Sequence, residues 1–198
     1  LPEVSPSSEV STKAPYYHVY DYQGTDVEAA KLTENYQTYG VLYNWPAVMT
    51  EGICPVGWHI PTDEDFIELT DYLGGVGVAG GKMKEAGYDH WNTPNTGATN
   101  SSGFTGLADG FRFDYGIDYG MGLYANWWSS TEDTNVTTGT VGVWIRHLDH
   151  DNSAVTKSAA LKKIGFSVRL ISDTLFSDSP TSIETIESFS CKFIDLTP

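Results

Sequence analysis

Helical periodicity runs out near residue 87, so the second half of this chain has to fold from short extended pieces. Upstream, one helix is written plainly. Thr62 is an N-cap, and Asp63, Glu64 and Asp65 place carboxylates in the first turn, where the helix dipole favours them. Phe66, Leu69 and Leu73 follow at i, i+3 and i+7 on one apolar stripe, and Gly74 and Gly75 close the segment. A second, shorter helix is expected over Gly81–Ala86, ended by Gly87, and another over Asp26–Tyr36, capped by Asp26. Tyr17–Tyr22 and Trp58–Ile60 read as extended. Val41–Val48 reads as a strand that Pro46 brings to an end.

Beyond Tyr88 the pattern changes. His90–Thr105 is rich in Asn, Thr, Gly and Ser and is expected to be one long loop, a length that is commonly functional. Trp127–Ser130, Val141–Leu148 and Gly165–Ile171 read as strands, the last two with clear alternation. Helices first and strands later argue for an α+β domain with an antiparallel sheet. Its expected limits are 16–171, after a Pro/Ser/Thr-rich linker or stalk over 1–15. Residues 172–198 form an acidic, Ser/Thr-rich tail in which Phe189, Cys191 and Phe193 alternate as a possible terminal strand.

The formal net charge of -15 excludes classes of partner. Phosphate backbones and anionic membrane surfaces are repelled by most of such a surface. No apolar run reaches the length of a bilayer span, and no signal-like segment opens the chain at Leu1, so in a secreted protein the signal is expected to have been removed. Two cysteines, Cys54 and Cys191, are too few for a disulfide framework. They make one bridge or stay as two thiols.

Two stretches have binding chemistry. In DYGIDYGMGLYANWW (114–128), Tyr115, Tyr119 and Tyr124 lie among glycines, and tyrosine offers a rigid face with a polar edge for stacking on a sugar or peptide. At least one of Trp127 and Trp128 is expected in the core, with Tyr115 and Tyr119 exposed. In VWIRHLDHDNSAV (143–155), Val143, Ile145 and His147 fall on one strand face, with Trp144, Arg146 and Leu148 on the other. Asp149, His150, Asp151 and Asn152 then form a polar turn. Trp144, Arg146, His147, Asp149, Asp151 and Asn152 are the candidate ligand contacts here. His147, Asp149, His150 and Asp151 have donor chemistry for a divalent ion, but ordinary turn composition explains them and no metal or other cofactor is assigned. His59 reads as a satisfied core histidine. Ser129–Ser130–Thr131–Glu132 lacks the glycine-framed elbow of a nucleophile and reads as a turn with side-chain-to-backbone bonding. No acid/base pair or phosphate loop is found, so no enzymatic activity is expected.

YGVLYNWPAV (39–48), CPVGWHIPTDEDFIELTDYLGG (54–75), AGGKMKEAG (79–87), HWNTPNTGATNSSGFTGLADGFR (90–112), WWSSTE (127–132) and GFSVRL (165–170) occur in series. Together they resemble the Fibrobacter succinogenes major paralogous domain, over about 39–171. The resemblance implies a C-type-lectin-like fold, with two short helices packed on small twisted antiparallel sheets with long loops. It further implies a protein secreted or anchored at the outer membrane in Bacteroidetes or Fibrobacteres, and a fold shared with retroelement-diversified ligand-binding proteins. The expected function is then adhesin-like recognition of a glycan or protein on a surface, or else a structural or accessory subunit of an outer-membrane or fimbrial complex. The calcium motifs of sugar-binding C-type lectins are absent. So is the family's usual upstream segment, which residues 1–38 replace. Where many members carry a cysteine just before the Tyr-Gly, this chain has Tyr36, which leaves Cys191 as the only candidate partner of Cys54. The same fold serves formylglycine-generating enzymes through a cysteine pair, but Cys54 and Cys191 are not placed for it.

Overall fold

The computed structural model describes residues 13–134 and 142–173. The stalk up to residue 12, the tail from residue 174 and Cys191 lie outside the described residues. The elements in order are β1 (Tyr17–His18), α1 (Val27–Lys31), α2 (Glu34–Tyr39), β2 (Leu42–Tyr43), α3 (Trp45–Val48), β3 (Trp58–His59), α4 (Asp63–Tyr72), α5 (Val76–Met83), β4 (Asp109–Arg112), β5 (Asp118–Met121), β6 (Tyr124–Asp133), β7 (Gly142–Asp149), β8 (Thr156–Ala160) and β9 (Ile171–Ser172). The class is α+β with small antiparallel sheets, but five helices stand among the described residues where the residue pattern predicts three and the resemblance implies two.

α4 forms as its sequence dictates. Thr62 accepts from the Asp65 amide while the Asp65 carboxylate accepts from the Thr62 amide, a complete capping box. The expected helix over 26–36 divides in two, because Thr33 caps a second start. The expected strand 41–48 stops at Tyr43, and Pro46 lies inside a helical turn instead of ending a strand. Asn44 caps that turn, and proline is well tolerated in a first turn, where the amide has no intrahelical partner. α5 starts earlier and ends sooner than expected, despite its glycines. At Gly81 a Cβ would stand 2.3 Å from the Gly97 carbonyl oxygen, so a close backbone approach selects glycine over helix propensity.

The central sheet runs β6-β7-β8. β8, TKSAA, has no strand signature and exists through its pairing with β7. The sheet is covered on both sides. Trp128, Val143 and Ile145 enter one core cluster with Tyr17, Tyr43 and Phe166, while Ala125, Trp127 and Leu148 enter another with Phe66, Met83 and Trp91. Both tryptophans are therefore core residues. Burial of each such large apolar side chain contributes about 1.5–3 kcal/mol, so both faces of this sheet are stabilising. The expected strand 165–171 is mostly a connecting segment, joined by single bridges at Gly165, Phe166 and Ser167 before it becomes β9 against β3. His59, on β3, is not a core residue: its side chain is 41% exposed and sits between Asp65 and Asp173.

Candidate functional site

β4 and β5 form a hairpin, and the turn at Gly122 leads directly into β6. Tyr119 on β5 and Tyr124 at the start of β6 consequently lie side by side, with centroids 6.2 Å apart and planes within 27°. A glycine is required between them. A Cβ on Gly120 would meet the Tyr124 ring at 2.5 Å, and its φ of +81° disfavours any other residue. Register places Tyr124 opposite Asp149 and Asn126 opposite His147, so alternation turns all four to one face.

That face holds a cavity of about 390 Å³ lined by Phe111, Tyr119, Tyr124, Asn126, His147, Asp149 and Phe166. His147 is fixed at both ring nitrogens: Nδ1 lies 2.8 Å from Asn126 Oδ1 and Nε2 lies 3.0 Å from Asp149 Oδ2. Its ring stands 5.1 Å from that of Tyr124. The aromatic lining continues outward, with Phe113 5.8 Å from Tyr119 and stacked on Tyr115 at 4.8 Å. Tyr115 and Tyr119 are exposed, as expected. The Tyr124 hydroxyl is pushed above its ordinary pKa by burial and by the negative charges of Asp149 and Asp151, with Tyr119 adding to the effect.

The site rests on buried polar supports. His18 Nε2 meets Asp118 Oδ2 at 2.9 Å and Arg112 Nη1 lies 3.0 Å from the same nitrogen, so β1 holds the hairpin that carries Tyr119. Lys84 is buried, and its Nζ donates to the carbonyls of Asp149 and Asn152, both at 2.8 Å, pinning the turn after β7. Burial lowers the Lys84 pKa to about 8, against the opposing pull of Asp149 and Asp151. The long loop over 90–105 is a brace: the Thr96 amide donates to the His150 carbonyl and the Asn92 amide to the Gly122 carbonyl. Ser167 donates to the buried Asp109, whose carboxyl burial pushes up to about 7, against the lowering effects of Ser167 and Arg169.

The sequence candidates thus divide. Tyr119, Tyr124, His147 and Asp149 converge on the cavity, and Tyr115 extends its aromatic lining. Trp144 and Arg146 point to the other face of the sheet and do not join them. Arg146 is only 2% exposed and is committed to Asp63 at 2.7 Å, so it is a structural residue and not a ligand contact. Trp144 is capped by Lys157, whose Nζ lies 4.0 Å from the ring centroid. Asp151 and Asn152 are exposed on the adjoining turn, where the Asn152 side chain accepts from the Ala154 amide. His150 turns to the Thr93 carbonyl, and among the described residues no three potential metal ligands converge. Phe111, Asn126 and Phe166 were missed. Asn126 follows from the register of a strand already recognised, whereas Phe111 and Phe166 come from segments that meet only in the folded chain.

Ser129 accepts from the Thr131 amide inside a β-bulge, the side-chain-to-backbone bonding its sequence predicts. Cys54 is half-buried, and burial raises its thiol pKa. No helix among the described residues is long and apolar enough to cross a membrane.

A search of curated proteins and a search of solved structures each returned no match. The model of the Fibrobacter succinogenes major domain family matches residues 4–172. The match starts well upstream of residue 39, and with reason: Tyr17, Val19 and Tyr36 belong to the first core cluster, so the residues expected to replace a family segment are part of the domain. By sequence and by the extent of the match, the chain belongs to the Fibrobacter succinogenes major domain family.

Proposed function

We propose that this protein is a non-catalytic recognition module with a C-type-lectin-like fold, displayed outside the cell or at the outer membrane, and that it binds a glycan or protein ligand in an adhesin-like role. One observation carries the reading. Four aromatic rings, an amide, an imidazole and a carboxylate line a single open cavity at the end of the central sheet. Aromatic walls with a few convergent polar groups are the usual make-up of a small binding site. The supports beneath it are consistent with a rigid platform.

The test is binding of the purified protein to an array of glycans and extracellular-matrix proteins, in parallel with a Tyr119→Ala/Tyr124→Ala variant. Hits that fall at least about tenfold in the variant, with its thermal midpoint within a few degrees of wild type, support the reading, since aromatic anchors typically contribute more than 1 kcal/mol. Hits of undiminished strength in a folded variant remove the cavity from consideration.

A further inference from the structure

The cavity's own chemistry narrows the ligand class, given its reading above as the binding site. We propose that it receives a positively charged side chain, lysine or arginine, from a protein ligand. Its lining contains one carboxylate and no lysine or arginine. His147 engages Asp149 Oδ2, while the other oxygen of that carboxylate makes no hydrogen bond among the described residues. Asp151 stands exposed on the adjoining turn and adds negative potential at Tyr124.

Basic groups nearby are already matched. Lys84 is buried against two carbonyls, Arg112 lies 3.5 Å from Asp118, and Lys163 lies 3.0 Å from Asp114. With a net charge of -15, the approach of a cation is favoured at long range as well as in the site.

The rest of the molecule uses the same recognition internally. Lys157 sits over Trp144 and pairs with Asp63, and Lys162 sits over Trp45 at 4.4 Å and pairs with Glu132 at 2.9 Å. Each is a ring with a carboxylate, filled by a lysine. Tyr124 and Tyr119 beside Asp149 repeat the combination around open space. A cation over a tyrosine face gains from the ring quadrupole, and the carboxylate adds a charge-assisted bond. The four-carbon stem of a lysine finds apolar contact on Phe111 and Phe166.

The experiment follows the aromatic NMR signals of Tyr119 and Tyr124 during titration of the whole chain with four probes. These are Nα-acetyl-lysine methylamide, Nα-acetyl-arginine methylamide, the uncharged Nα-acetyl-norleucine methylamide, which keeps the four-carbon stem without the ammonium, and methyl β-glucoside. Saturable shifts with either basic probe, at least about tenfold tighter than with norleucine and weakened about tenfold by Asp149→Asn, are expected. Equal binding of norleucine, preference for the glucoside, or indifference to Asp149→Asn overturns the cation assignment and leaves the cavity a binding site of another class. Silence towards all four also overturns it. The array comparison with Tyr119→Ala/Tyr124→Ala then decides separately whether the cavity binds anything.

Discussion

At the scale of single residues, Asp109 is the group whose chemistry departs furthest from its type. Its carboxyl is buried, and burial pushes its pKa up to about 7. In the unfolded chain the same group titrates near about 3.9. The folded protein therefore binds the extra proton between these values, and the stability tied to protonated Asp109 is present below about pH 4 and lost as pH rises through 7. Asp109→Asn keeps an acceptor for Ser167 and removes the titration. The variant should match wild type at pH 4 and exceed it at pH 8 by up to about 4 kcal/mol, the linkage equivalent of that shift. Urea denaturation of both proteins across this range measures it, and a difference independent of pH would contradict it. Nothing local in Leu-Ala-Asp-Gly-Phe marks this aspartate. Its pKa is raised by burial, which only the folded chain imposes and which outweighs the lowering effects of Ser167 and Arg169.

Among the elements, α4 and β7 were the most legible, and their docking was the least. The capping box and stripe of α4 are local, and the alternation of β7 is local. The contact that joins them pairs Asp63, at the start of α4, with Arg146 on β7 and Lys157 on β8. Burial acts to raise the Asp63 carboxyl, but its bonds to Lys157 and Arg146 prevail and hold it below the usual carboxylate range. Asp63→Asn leaves Arg146 buried without its counter-charge and should cost about 3–5 kcal/mol at pH 7. Because the folded pKa is depressed, the contribution is present above about pH 4 and fades as pH falls through the folded value, so the gap between variant and wild type should close in acid. Thermal melts at pH 7 and pH 3 test this; a gap equally wide at both would show that charge is not the cause. Arg146 resembled a ligand contact in sequence because a strand pattern assigns a face without saying what covers it. α5 and β8 were missed or misplaced for a related reason. Glycines that weaken a helix in isolation are chosen in α5 for backbone approach, and the weak strand β8 forms because β7 offers it a partner.

For the whole molecule, the decisive feature is a sheet with a core cluster on each face. Trp127 and Trp128 are sequence neighbours, yet one serves each cluster. Neither cluster can loosen without disturbing the strands that the other needs. Urea unfolding followed by tryptophan fluorescence and by far-ultraviolet circular dichroism should therefore give one coincident midpoint. Two separated midpoints would mean that the clusters are independent units. At this scale the sequence by itself determined the class, the acidic character, the capped helix, the family and the pair of aromatic and polar stretches from which four cavity residues come. The family rests on the resemblance of motifs in series along the chain; the rest follows from spacing and composition, which act over a few residues. Only the tertiary structure decided that Tyr119, Tyr124, His147 and Asp149 share a cavity while Arg146 and Trp144 face away. Strand register, the turn at Gly122 and the approach of Phe111 and Phe166 place them, and such placement depends on backbone pairing between distant segments, which no local pattern encodes.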